Sequence, residues 1–161
     1  MHQPAERLFD EVRLLWNLLV QTGERLHANE RITIAMRAVL EFLVLRGPAT
    51  VPQIARGRYV TRQHIQELVN ALVERGLVEM ADNPAHRRSK LARLTPLGEE
   101  TIERIRRREQ RVYRKLDLGV KLTDLERAER TLRGVRKVLA ELDARLGAEV
   151  AKHRTSEFEN A

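Results

Sequence analysis

The sequence predicts a mainly α-helical fold that contains one small β-hairpin. Apolar side chains recur every three or four residues over most of the chain, which is the spacing of one helix face. Two short segments of alternating character flank the polar turn "ADNPAHRRS", as expected for a hairpin. With 161 residues, of which 42% are hydrophobic and 33% charged, the chain is long enough to fold as one domain.

The first predicted helix covers residues 5–28. One face, at alternating spacings of four and three, carries Leu8, Val12, Leu15, Leu19, Thr22 and Leu26. Leu14 and Leu18 widen this mainly apolar stripe. A stripe of this width exceeds what one packing partner requires, so this helix is expected to contact more than one neighbour.

A second helix is predicted to begin at Thr33, a suitable N-cap, and to end before the Gly47-Pro48 pair. A brief helix follows in the stretch "PQIAR", where Pro52 takes a first-turn position. Gly57 is expected to break this brief helix, because glycine weakens helix interiors.

The next helix is predicted to begin at Thr61 and to end at Gly76. Residues 77–80 and 90–94 then form the two strands of the hairpin. A short helix, a tight turn, a longer helix and a hairpin in this order are typical of a winged helix-turn-helix. In such modules the second helix enters the major groove of DNA.

The C-terminal part of the chain is predicted to form two helices. A long basic helix begins at Thr95, with Pro96 at its first position, and extends to about residue 119. The last helix carries a heptad-like apolar seam from Leu125 to Leu146. Residues 148–161 lack apolar periodicity and are predicted to form a frayed tail.

The chain is therefore interpreted as a single domain, residues 1–161, with a winged helix-turn-helix core and flanking dimerisation helices. The core covers residues 33–95 and a connecting helix covers residues 95–119, while the flanking helices cover residues 5–30 and 119–147. Exchange of the flanking helices between two subunits would bury both apolar stripes, and two-fold homodimers are the commonest oligomers. An intrachain helical hairpin in a monomer is the alternative.

Composition and charge narrow the function classes. A net charge of +7 favours nucleic acid or an anionic membrane as partner. The chain has no cysteine, which excludes disulfides and thiol switches, and no apolar run approaches the roughly 20 residues of a membrane span. The N-terminus does not resemble a secretory signal, so a cytoplasmic location is expected. No phosphate loop, nucleophile elbow or metal-ligand spacing occurs, so no enzyme, cofactor or metal site is predicted.

Three stretches in the middle of the chain carry a family resemblance: "LVERGLVE", "NPAHRR" and "LTPLGEE". Together with the rest of residues 54–102, they resemble the winged-helix core of the MarR family of bacterial transcription regulators. The order of helices extends this resemblance over residues 5–147. The resemblance implies a homodimer with interlocking terminal helices that represses genes from pseudo-palindromic operators. It also implies an effector, since many relatives release DNA when a small aromatic or anionic ligand binds.

The expected DNA contacts lie in the recognition helix, which is the helix that begins at Thr61, and in the wing, which is the hairpin that follows it. Gln pairs with adenine and Arg with guanine in the major groove, while arginines at a wing tip enter the narrow minor groove. A solvated turn is the alternative for the wing arginines. The candidate DNA-binding residues are Thr61, Arg62, Gln63, His64 and Gln66 in the helix, and Arg87, Arg88 and Lys90 in the wing.

Two departures from the family pattern bear on these contacts. His86 occupies the position that resembles the usual wing Asp, which orients the following arginine, so Asp82 is the remaining candidate acid. Glu67 and Ala71 stand where relatives often carry Arg. Glu67 is expected to pair on the helix surface rather than to accept a hydrogen bond from cytosine.

Two residues are candidates for an effector pocket. Trp16, the only tryptophan, either packs in a core or dimer interface or forms a wall of the pocket. Arg37 stands on a segment where relatives often carry a pocket-lining aromatic residue. It either binds an anionic ligand or lies on the surface.

The predicted function is sequence-specific DNA binding by a dimeric transcription regulator that acts as a repressor. Two alternatives stay open: an adaptor whose winged helix binds an acidic protein, and an architectural protein that binds DNA without sequence preference. Salt dependence separates the adaptor from a DNA-binding protein, because counterion release makes DNA affinity fall steeply with salt concentration.

Overall fold

The computed structural model describes residues 3–86 and 88–159, with side chains as far as residue 149. These residues form a mainly helical fold with a two-stranded antiparallel hairpin, as the sequence predicted. In chain order the elements are α1 (Pro4–His27), a short 3-10 helix (Ala28–Glu30), α2 (Ile34–Arg46), α3 (Val51–Arg58), α4 (Arg62–Glu74), β1 (Val78–Ala81), β2 (Leu91–Leu94), α5 (Pro96–Tyr113) and α6 (Leu122–Glu159). The chain divides into two compact units, one that ends at Lys115 and one that begins at Leu116.

The three threonine N-caps that the sequence predicted are confirmed. The side-chain oxygens of Thr33, Thr61 and Thr95 each accept a hydrogen bond from the backbone N–H three residues later, at 3.1, 3.2 and 3.0 Å. Each bond satisfies one of the backbone donors that the first turn of a helix leaves unpaired. Gly76 follows α4 with a φ of 68°, the left-handed conformation of a helix C-terminus.

The expected helix break at Gly57 is wrong. Gly57 lies inside α3, which continues to Arg58. A Cβ atom at Gly57 would lie 2.4 Å from the ring of Phe42 in α2, closer than real contacts allow. The glycine therefore serves the close packing of α3 against α2 rather than the termination of the helix.

The core lies in the first unit and joins α2, α3, α4 and α5. Leu40, Ile54, Ile65 and Ile102, one from each of these helices, are at most 2% exposed. Burial of side chains of this size stabilises the fold by about 1.5–3 kcal/mol each. This core fixes the orientation of the helix pair α3 and α4.

The hairpin is joined to this core by the turn between α2 and α3. β1 and β2 pair in antiparallel register with Val78 opposite Leu94. Ala49 adds a bridge to Ala92 of β2, with backbone hydrogen bonds of 3.0 and 2.9 Å. β2 is therefore paired on both of its edges, by β1 and by Ala49.

The C-terminal helices differ from the prediction in their ends. α5 ends at Tyr113 rather than near residue 119, and Gly119 has a φ of 64° in the connection that follows. α6 continues to Glu159, through most of the segment predicted to be a frayed tail. This segment has no proline or glycine after Gly147, so helix geometry persists where the apolar periodicity has stopped.

Candidate nucleic-acid interface

The face of α4 that bears the predicted contacts is fixed by the opposite, buried face. Ile65, Val69 and Leu72 follow one another at spacings of four and three, and they are 2%, 0% and 0% exposed. Their burial leaves the first turns of α4 with a polar face towards solvent. All five predicted contacts of this helix are exposed: Thr61, Arg62, Gln63, His64 and Gln66.

The two glutamines of this face are held by neighbours one turn along the helix. The Gln63 side-chain amide donates to Glu67 Oε1 at 3.2 Å, and the Gln66 amide donates to Asn70 Oδ1 at 2.8 Å. Glu67 thus forms the surface pair that the sequence favoured. The pairs orient the amides and leave each glutamine oxygen free to accept a further hydrogen bond.

Unpaired positive charge lies on α3, on the first turn of α4 and in the wing. Within the described part of the chain, five exposed cations of these elements have neither a hydrogen bond nor an ion pair from their side chains. They are Arg56, Arg58, Arg62, Arg88 and Lys90. Their charge is available to a polyanion without the loss of an internal salt bridge.

The wing tip is shaped by one asparagine. Asn83 Oδ1 accepts a hydrogen bond from the backbone N–H of Ala85 at 3.0 Å, and its Nδ2 donates to Ser89 Oγ at 3.1 Å. Arg88 is exposed on this tip, and neither Asp82 nor any other described carboxylate forms an ion pair with it. Arg87 lies outside the described residues.

The basic helix α5 contrasts with this surface, because most of its arginines are paired. Arg107 pairs with Glu103, one turn earlier in the same helix, at 3.1 Å. Two further arginines instead form hydrogen-bonded ion pairs with other elements: Arg104 with Glu30 at 2.8 Å and Arg106 with Glu41 at 2.8 Å.

These tertiary ion pairs change the acidity of their carboxyl groups. Hydrogen bonding by Arg106 lowers the pKa of Glu41 below its ordinary value, and the charges of Arg106 and Arg37 act in the same direction. Hydrogen bonding by Arg104 likewise lowers the pKa of Glu30. Both carboxylates therefore stay ionised at neutral pH and hold α2 and the 3-10 helix to α5.

Arg37 is bound to the rest of the protein rather than free for a ligand. Its Nε and Nη2 atoms each donate to Glu109 at 2.6 Å, and Glu109 also contacts Nε2 of the fully buried His27 at 3.0 Å. An anionic ligand at Arg37 would have to displace Glu109 from this bidentate pair. Trp16 is 56% exposed on α1.

A cleft of about 1010 Å³ opens between the end of α2, β2 and α5, and neither Trp16 nor Arg37 lines it. Its apolar wall includes Leu43, Val44 and Ile102, and its polar lining consists of five arginines and three glutamates. One of them, Arg111, has no ion-pair partner among the described residues. The cleft thus combines apolar surface with an available positive charge.

The described residues contain neither a membrane-spanning helix nor a cluster of metal ligands. No helix among them is long and apolar enough to cross a membrane. Their histidine and acidic side chains form no group of three or more that could hold a metal ion.

Comparison with known proteins places this surface in a family context. Residues 32–89, from the start of α2 into the wing, match the model of the MarR family. The MarR family transcription regulator SP03579 is 30% identical and superposes with a TM-score of 0.73, over 86% of this chain and 93% of that protein.

Two other relatives extend this comparison. The Mycobacterium tuberculosis protein Rv2011c is 40% identical over 108 residues, which are 67% of this chain and 75% of that protein. The regulator BpsR of Bordetella bronchiseptica, whose DNA binding is regulated by 6-hydroxynicotinic acid, superposes with a TM-score of 0.74 over 84% of this chain and 97% of its own. At 18% identity, BpsR supports the fold alone.

Proposed function

This chain belongs to the MarR family of transcription regulators, and we propose that it is a homodimeric repressor that binds a pseudo-palindromic operator. The observation that carries this proposal is the set of unpaired cations around α4 and the wing. DNA binding neutralises phosphates with such cations and releases counterions, which drives association. The polar face of α4 would read base edges in the major groove, and the wing would contact the adjacent minor groove.

Exposed apolar surface on α1 supports the homodimer. Leu14, Leu15, Leu18 and Leu19 are 65%, 53%, 60% and 53% exposed in the single chain, an unusual density of exposed leucine in one helix. In the second unit, α6 also leaves leucines of its predicted seam exposed, with Leu146 at 51%. A second copy of the chain would cover these stripes, and a two-fold axis would place two α4 helices about 34 Å apart, one turn of DNA.

We further propose that a small aromatic acid releases the protein from its operator. The cleft beside α5 supports this, because its apolar wall suits an aromatic ring and Arg111 suits a carboxylate. The regulation of BpsR by 6-hydroxynicotinic acid gives the ligand class to try first. Titration of a preformed protein–DNA complex with 6-hydroxynicotinate and benzoate tests this; a complex that persists at millimolar concentrations of both argues against this ligand class.

Protein binding is the second candidate function, since the exposed Glu67 makes the outer face of α4 less basic than an arginine-rich one, and Ala71, partly buried against the core, adds no charge to it. The affinity for fragmented genomic DNA, measured from about 0.05 to 0.2 M salt, separates the two functions. A repressor is expected to lose affinity linearly on a log–log plot, with a slope of about 0.9 for each phosphate neutralised. No measurable DNA binding at the lowest salt concentration would favour the adaptor.

A further inference from the structure

The turn between α3 and α4 contains a residue in an unfavourable conformation. Tyr59 has φ 57° and ψ 42°, the left-handed helical region, and in the described chain it shares a positive φ with only one other non-glycine residue, Arg31. Left-handed geometry brings a Cβ atom close to the following carbonyl group, so a bulky residue is disfavoured there. Such an outlier can indicate that the side chain has a function.

The backbone of Tyr59 has a structural role that does not require a tyrosine side chain. The backbone N–H caps α3 by donating to the carbonyls of Ala55 and Arg56, which glycine would do equally well. The phenol is 62% exposed and its hydroxyl has no hydrogen-bond partner in the described part of the chain. Tyr59 thus combines backbone strain with a mostly exposed aromatic ring, and no hydrogen bond of its hydroxyl to a described residue offsets either cost.

Tyr59 lies within the proposed DNA-binding surface. It comes two residues before Thr61, the N-cap of the recognition helix, and the unpaired side chains of Arg58 and Arg62 are nearby in sequence on either side. When the N-terminal end of α4 enters a major groove, the turn before it is brought to the edge of that groove. The surface offered there is sugar and phosphate.

We propose that Tyr59 binds the sugar-phosphate backbone of the operator, with its hydroxyl donating a hydrogen bond to a phosphate oxygen and its ring packed on a deoxyribose. This contact deepens the proposed DNA-binding function and rests on it. A neutral donor fixes the position of the recognition helix without displacing a counterion. The strain at φ 57° would hold the ring outwards, ready for this contact.

The test uses the whole 161-residue chain and a fluorescently labelled DNA duplex recovered by selection from genomic fragments. Tyr59→Phe removes only the hydroxyl and is expected to weaken binding about tenfold, as a lost hydrogen bond to a charged group does. The salt slope should stay that of the wild type, because no charge changes. Tyr59→Gly should weaken binding at least as much and also raise the thermal unfolding midpoint, because it relieves the strain.

Two matched variants control for the loss of a tyrosine hydroxyl and for the relief of a positive φ. Tyr113→Phe removes the other tyrosine hydroxyl, also on an exposed side chain, and should leave DNA affinity unchanged. Arg31→Gly relieves the comparable φ of 52° at the end of the 3-10 helix, where the Arg31 carbonyl accepts a hydrogen bond from the Arg75 side chain, and should also raise the unfolding midpoint. Wild-type affinity in Tyr59→Phe would overturn the phosphate contact alone. A wild-type protein that binds no genomic fragment would overturn the DNA-binding function as well.

Discussion

Arg37 and Glu109 form a bidentate ion pair that joins α2 to α5, with Nε and Nη2 of the arginine each 2.6 Å from a carboxylate oxygen. Glu109 is 7% exposed, and the fully buried His27 at the end of α1 contacts the same carboxylate. Glu109 of α5 therefore binds a side chain of α1, His27, and a side chain of α2, Arg37. This relationship leads to a stability prediction.

Glu109→Gln is expected to destabilise the protein by about 3 kcal/mol, because Arg37 loses its bidentate partner and keeps only the more distant Glu41, at 3.7 Å. Urea unfolding at fixed protein concentration measures this loss. Glu103→Gln is the matched control on the same helix. Its partner Arg107 is exposed, so the expected loss is about 0.5 kcal/mol or less. Equal losses in the two variants would contradict the special role of Glu109.

Low pH should weaken the ion pair between Glu41 of α2 and Arg106 of α5. The pKa of Glu41 is lowered in the folded protein, mainly by the Arg106 hydrogen bond. Between the two pKa values, the folded protein therefore binds fewer protons than the unfolded chain. The stabilising contribution of Glu41 is therefore complete above the ordinary pKa of 4.5 and is lost as the pH falls through the lower, folded value.

The Glu41→Gln variant isolates this contribution. At neutral pH it should be less stable than the wild type, and the difference between the two proteins should shrink as the pH falls from about 6 to 3. Thermal unfolding midpoints across this range provide the measurement. Parallel pH profiles for the two proteins would show that the Glu41–Arg106 pair does not contribute to acid sensitivity.

In the wing, Arg88→Ala is expected to weaken DNA binding about tenfold without unfolding the protein, because Arg88 is exposed and has no described internal partner. The salt slope should fall by about one for each lost phosphate contact. Arg107→Ala removes the same charge from α5, where Glu103 already neutralises it, and should change affinity little. Unchanged affinity in Arg88→Ala would count against a wing contact with DNA.

The proposed dimer is tested by a charge in the α1 stripe. Leu15 is 53% exposed in the single chain, and Leu15→Glu would place a carboxylate in the apolar interface of the dimer. Sedimentation velocity at micromolar concentration should show a monomer for this variant and a dimer for the wild type. Asn17→Glu adds the same charge on the opposite side of α1 and should stay dimeric. A wild-type monomer would refute the dimer.

Local signals in the sequence were sufficient for most of the fold. Thr33, Thr61 and Thr95 were predicted as N-caps and perform that role, because capping depends only on neighbouring residues. Gly57 was misinterpreted because the reason for glycine there is the ring of Phe42, a contact between two helices. A sequence pattern within one helix does not contain such a contact.

The exposed face of α4 was also predictable, since the buried positions of an amphipathic helix define the opposite side. The ion pairs of α5 were not. Glu109 reaches Arg37 and His27 across 72 and 82 residues of sequence, and within α5 it stands among arginines like a surface residue. The strain at Tyr59 was equally hidden, because a tyrosine gives no sign of a positive φ.

The most direct measurement is selection of fragmented genomic DNA by the purified protein, with competitor DNA, at about 0.15 M salt, where nonspecific binding is weak. A dimeric operator-binding repressor is expected to enrich an inverted repeat whose half-sites are centred about 34 Å apart, one turn of the double helix. Enrichment of no sequence at all, from a protein that is folded and dimeric, would contradict sequence-specific DNA binding.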